Sequence, residues 1–128
     1  NCEDIQGGLI RALEQMKKPP FRNYNHLVLI VGDYPNHGDF DQCKITKNRD
    51  GELLDDVWER IYKEIRSLNS VHIMFMPVNF AEIVTTMKRM QRKLGTDIVN
   101  STSANRSNFV KIITETTVNE YKKFVGIS

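Results

Sequence analysis

The sequence predicts an α/β fold: a parallel sheet flanked by helices on both faces, Rossmann-like, with part of the sheet missing. Three observations lead there. Segments with a helical repeat of apolar residues alternate with short unbroken apolar runs, the pattern of strands joined by helical crossovers. The first such run, Leu27-Val28-Leu29-Ile30-Val31, is apolar throughout, as strands buried on both faces are. Three strand candidates are too few to flank so central a strand, and an edge left open is a liability. Further strands are therefore expected beside it.

Each element follows from spacing. Ile5, Leu9, Leu13 and Met16 recur at four, four and three residues and line one helix face. Asn1, Glu3 and Asp4 stand at its start, where free N–H groups favour capping and acidic side chains. Pro19-Pro20 stop it. Gly7-Gly8 inside this helix is locally unfavourable by about 1 kcal/mol per glycine relative to alanine, which predicts close packing against a neighbour. After the first strand, residues 34 to 51 read as a long loop, the kind that is functional or mobile. Leu53, Leu54, Val57, Trp58, Ile61, Ile65 and Leu68 form the clearest amphipathic stripe. Val71 to Phe75 and Met76 give the second strand. Phe80, Ile83, Val84, Met87, Met90 and Leu94 give a third helix with Gly95 at its C-cap. A weak third strand lies within Thr96 to Ser101. A last helix runs from Phe109 to Val125 and ends at Gly126, with a β-branched middle at Thr114 to Val118.

Composition narrows the function classes. The span 1–128 suits one domain. Eighteen basic and 16 acidic residues leave a net charge of +2, which argues against nucleic acid as a partner. No apolar run is long enough for a membrane span. The start at Asn1 rather than Met leads us to expect residues upstream. Cys2 and Cys43 are too few for a disulfide framework. They read as free thiols in a reducing compartment, with one bond between them as the alternative, and a cytoplasmic location is expected. No paired-cysteine zinc pattern occurs.

Ligands of open α/β sheets gather outside the carboxyl ends of the strands. Asp33 stands there, directly after the best strand, and is the strongest candidate to hold a divalent cation. His37, Asp39 and Asp41 follow within the loop and equally suit turns. Glu3 and Asp4 either complement the helix dipole or reach the same cleft. Lys88, Arg89, Arg92 and Lys93 form a basic helix face, solvated by default and suited to an acidic partner. Met74, Met76, Met87 and Met90 fall at core periods. No nucleophile elbow is present, and Gly7-Gly8 is no phosphate loop.

Two stretches resemble the von Willebrand factor type A (VWA) domain, in the branch associated with alpha-kinase proteins. Cys2-Glu3-Asp4-Ile5-Gln6-Gly7-Gly8-Leu9 is similar to that branch's P-E-D-x-x-G-G-L, which opens the helix before the fourth strand. Leu29-Ile30-Val31-Gly32-Asp33-Tyr34-Pro35-Asn36-His37-Gly38 is similar to its strand-end pattern L-I-x-D-A-P-x-H-G. The resemblance implies an intracellular protein-interaction module with a metal-ion-dependent adhesion site (MIDAS) holding magnesium. It aligns Glu3 and Asp33 with metal-site residues, and Asp4 more weakly. It also implies no enzymatic activity in this domain, and leaves open whether the parent protein carries a kinase elsewhere. The D-x-S-x-S of the family's first loop is absent, so the chain resembles the C-terminal half alone. An upstream segment or a second chain would then supply the missing strands.

The expected function is therefore a module that binds a protein partner through a divalent-cation site at the C-terminal edge of the sheet. Two alternatives stand beside it. One is a metal-dependent phosphoesterase using Asp33, His37, Asp39 and Asp41, since two-metal hydrolases cluster such side chains. The other is a structural domain without metal.

Overall fold

The computed structural model describes residues 2–39, 44–68, 70–78, 83–102, 107–124 and 126. Asn1, Asp41, Cys43, Phe80 and Val125, named above, lie outside the described residues.

The first helix, α1, spans Ile5–Met16. Asp4 is its N-cap, and the Asp4 carboxylate accepts a hydrogen bond from the Gly7 N–H at 2.9 Å. This cap explains Gly7, because a Cβ there would collide with the Asp4 carboxylate. Gly8 has open space on its Cβ side, so the expected close packing holds for Gly7 against its own cap and fails for Gly8. After a single 3₁₀ turn at Phe21–Asn23 comes β1, His26–Gly32. The second helix, α2, spans Leu54–Ser67 and begins with Asp55 and Asp56 in its first turn, where the helix dipole favours negative charge. Strand β2 is Val71–Pro77, helix α3 is Val84–Leu94, and strand β3 is Val99–Ser101. Gly95 ends α3 at φ 90°, a conformation glycine adopts without strain. The last helix, α4, spans Phe109–Phe124.

Strands and helices thus alternate, and the three strands pair in parallel in the order β1-β2-β3. This is the arrangement of an incomplete Rossmann-like sheet. The register sets Val28 beside Ile73 and Ile30 beside Phe75, and Ile73 beside Val99. These residues share one face. They pack with Leu9, Leu13 and Met16 of α1, the Val57–Ile65 stripe of α2, and Met87, Met90 and Leu94 of α3. Helix α4 meets the opposite face, where Met74 and α4 residues Thr116 and Glu120 line one cavity.

The strand expected at the centre is at the edge. His26 donates to the Ser70 carbonyl at 2.8 Å, and Gly32 accepts from Val78 at 3.0 Å. Even-numbered residues of β1 therefore turn their backbone toward β2. Leu27, Leu29 and Val31 turn theirs the other way, where no strand lies among the described residues. The burial of β1 reflects this: its residues are half-buried throughout, and Val31 is 40% exposed.

The free-thiol expectation is corrected. Cys2 is disulfide-bonded, and no free cysteine occurs among the described residues. The physical reason lies in the chain path. Glu3 bridges Asn36 in parallel, with Glu3 N–H to Pro35 O at 2.9 Å and His37 N–H to Glu3 O at 3.1 Å. Cys2 is thereby brought to the start of the loop whose sequence carries Cys43. Disulfides persist in oxidising compartments, so the thiol argument for a cytoplasmic location is withdrawn. No helix of the described residues is long and apolar enough to cross a membrane.

Candidate functional site

The turn after β1 is fixed by buried polar groups rather than left loose. Asn36 is buried. Its Oδ1 accepts from the Gln6 N–H at 3.1 Å, its own N–H donates to Thr86 Oγ1 at 2.9 Å, and its Nδ2 donates to the His37 carbonyl at 2.8 Å. Gln6 in turn donates through Nε2 to the Leu54 carbonyl at 2.7 Å. One asparagine and one glutamine thus tie the turn to α1, α2 and α3, consistent with the rule that buried polar groups are hydrogen-bonded. The sequence reading missed Asn36, Gln6 and Thr86. Thr86 stands between the core residues Ile83 and Met90 on the inward side of α3, and that position was its signal.

Two clefts flank this turn. The first, of about 340 Å³, is lined by Glu3, Asp4, Ile5, Ile30 to Asp33 and Ile83. It brings together all three carboxylates expected there. Each is solvent-exposed, and Asp4 is already engaged as the α1 cap. Among the described residues, no group of three His, Cys, Asp or Glu could hold a metal ion. Glu3 and Asp33 alone are two ligands where magnesium takes six positions, so the residues present do not by themselves fit a resident cation.

The second cleft, of about 400 Å³, is lined by His37, Gly38, Asp39, Ile45, Thr46, Leu53, Leu54, Asp55 and Trp58. Here Asp39 is buried, its side chain 2% exposed, with Arg89 Nε 3.1 Å from Oδ1. Burial pushes the Asp39 carboxyl above its ordinary range, while the Thr86 hydroxyl and the Arg89 charge pull the other way. Arg89 also holds Asp55 Oδ1 through Nη1 and Nη2, each at 3.0 Å. Behind them Trp58 stacks on Tyr62, ring centroids 5.6 Å apart and planes 14° from parallel. Burial raises the Tyr62 phenol well above its usual value.

The two clefts divide the residues that the loop sequence places in a row. Asp33 lines the first, and His37 and Asp39 line the second. Of the four residues of the phosphoesterase alternative, Asp41 lies outside the described residues and the other three are divided between the two clefts. The basic face of α3 is likewise resolved: Arg89 pairs with Asp39 and Asp55, and Lys93 with Glu59 at 2.8 Å. For these two residues the acidic partners are in the chain's own α2 and the turn after β1. Met74, Met76, Met87 and Met90 are buried as packing.

No family model, curated protein or solved structure matches this chain. Function is therefore read from the two clefts and the open edge of β1.

Proposed function

We propose that this chain is a protein-interaction module that receives a partner polypeptide along β1 and at the carboxyl end of its sheet. The observation that carries this reading is the edge position of β1. Seven residues, apolar from Leu27 to Val31, present one unpaired backbone side among the described residues. Such an edge templates strand addition. Native edges are commonly protected by lysine, proline or a bulge, and none of these interrupts β1. A strand from an upstream segment or from a second chain would pair with Leu27, Leu29 and Val31. Its side chains on that face would extend the apolar surface that Leu27, Leu29 and Val31 share.

The VWA resemblance gives this reading its finer form. In it, Asp33 and Glu3 would be the chain's share of a divalent-cation site, magnesium by the family's habit. Oxygen ligands from the partner would supply the remainder of the shell. A cation held this way would stay only with the partner in place. A cytoplasmic location fits the same reading only if Cys2 is reduced in the cell.

Hydrogen exchange tests the edge. In the isolated chain, the amides of Leu27, Leu29 and Val31 are expected to exchange at least roughly tenfold faster than those of Val28 and Ile30, which bond to β2. Equal protection of both sets in a monomer would remove the docking edge. Manganese titration of the chain with the missing strands supplied, by the upstream segment or the second chain, tests the cation separately. Line broadening at Glu3 and Asp33 that disappears in Asp33→Ala supports it, and unchanged metal affinity in that variant removes it.

A further inference from the structure

The open edge of β1 is nearly symmetric about its middle residue, and that symmetry points to an occupant. Leu27, Leu29 and Val31 each turn an N–H and a C=O away from β2, and no strand meets these groups among the described residues. The strand spans His26–Gly32, so Leu29 is its centre. Positions equidistant from Leu29 are alike: Leu27 with Val31, and Val28 with Ile30. A strand that pairs with its own copy sets each position against its mirror position, where like charges would repel. No Lys, Arg, Asp or Glu stands between Arg22 and Asp33, so that penalty does not arise here.

Pairs of identical chains close about a two-fold axis. An axis standing on Leu29, normal to the sheet, sets two copies of β1 antiparallel. Leu29 then faces the partner's Leu29, and Leu27 faces the partner's Val31, each as a hydrogen-bonded pair. Every outward N–H and C=O of Leu27, Leu29 and Val31 is met in both copies. Beyond them Asn25 faces the partner's Asp33, again without like charges. The helix beside this edge agrees. Lys17 reaches Glu64 of α2 at 2.6 Å, which marks the flank of α1 that faces α2. The other flank carries Ile5, Gly8 and Ala12, each half-buried, and a Cβ on Gly8 would meet nothing within 4 Å. That side of α1 puts neither charge nor bulk in the way of a second copy. We infer that the occupant of the β1 edge is a second copy of this chain, joined antiparallel about Leu29 into one continuous sheet. The inference rests on the reading of β1 as a docking edge and adds the identity of the partner.

An interface built on one strand is small and therefore weak. The chain is expected to pass from monomer to dimer at concentrations up to about 1 mM, read by sedimentation equilibrium. Over the same series the amides of Leu27, Leu29 and Val31 are expected to gain roughly tenfold protection from hydrogen exchange, and those of Val28 and Ile30 none. Position 29 is the one that meets itself across the axis. Leu29→Lys and Leu29→Glu are each expected to weaken the dimer by roughly tenfold or more, and an equimolar mixture of the two to restore it. Leu29 is outside the core cluster, so both variants are expected to fold; should either fail, the wild-type exchange series decides alone. A chain that stays monomeric with fast edge amides overturns self-pairing and leaves the edge to another polypeptide. A monomer whose edge amides are as protected as those of Val28 and Ile30 removes the docking edge as well. A dimer that survives Leu29→Lys, or a mixture no tighter than either variant alone, uses another surface or register and overturns the inference.

Discussion

The two faces of the sheet are built to different standards. On one, Ile73, Phe75 and Val99 are almost wholly excluded from solvent beneath three helices. On the other, Met74 and Met76 of β2 are buried, but β1 shows Leu27, Leu29 and Val31 half-covered or exposed, and the helix on that side, α4, buries a threonine and a glutamate. It also turns Val110, Val118 and Tyr121 outward. A helix usually buries its apolar stripe and exposes its polar one, and α4 partly does the reverse. One face is finished by this chain, and the other has apolar surface to spare. That difference, more than any single residue, is why we read the molecule as a docking module.

Truncation measures the contrast directly, and this is where the largest effect is expected. Phe75→Ala, in the finished face, should lower unfolding free energy by about 3–5 kcal/mol. Val31→Ala, on the open one, should cost less than about 1 kcal/mol, because 40% of that side chain already meets water. Urea denaturation of both variants reads the two values. A Val31→Ala loss approaching that of Phe75→Ala would mean the second face is covered in solution.

Next in size is the tie at the amino end. Cys2→Ser should destabilise by about 3–4 kcal/mol, since the bond closes a loop of roughly forty residues. The same loss should follow addition of reductant to the wild type, and no further loss should follow its addition to the variant. A smaller effect tests α4. Glu120 is buried with Lys123 Nζ at 3.0 Å from its carboxylate. Glu120→Leu should leave stability within about 1 kcal/mol or raise it, because Lys123 is 69% exposed and stays solvated without its partner. A large loss would show that this polar contact holds α4 in place and that the second face is more finished than it looks.

Much of this contrast could be read from the residues alone. The stripes Leu9–Leu13–Met16 and Val57–Ile61–Ile65 announce their helices and the side they bury, because a 3.6-residue period admits one inward face. The run from Leu27 to Val31 announces a strand wanting cover on both sides, and its edge position turns that want into an open surface. What the residues hide is whatever depends on a distant neighbour. Asp39 reads as a turn residue, and only the fold sets Arg89, fifty positions later, against it. Asn36 is one of several polar residues in a loop until Gln6 and Thr86 arrive around it. Asp33 and Glu3 line one cleft because the Glu3–Asn36 bridge ties the start of α1 to the turn after β1, whereas the engagement of Asp4 as a cap follows from local geometry that spacing suggests but does not decide.

Asp39, in the turn after β1, is a charged side chain closed off from solvent against Arg89, and acid titration tests how it is kept there. Its folded-state pKa is raised, with burial the largest cause and Arg89 opposing. The native chain therefore holds a proton there at pH values where the unfolded chain has released it, and stability falls as pH rises through the raised value. The stabilising share is fully present below the ordinary carboxylate range. Glu52 and Glu59 work with the opposite sign: hydrogen bonds from Arg60 and Lys93 lower their pKa values, so their contribution disappears as pH falls. Both are exposed and weakly coupled to folding. Comparing wild type with Asp39→Asn at each pH cancels them, because both proteins carry them unchanged. The difference in urea midpoint, wild type minus Asp39→Asn, should become more positive from pH 7 to pH 3. A difference that instead becomes more negative on acidification would mean the Arg89 pair outweighs desolvation, and that Asp39 strengthens the fold as an ion.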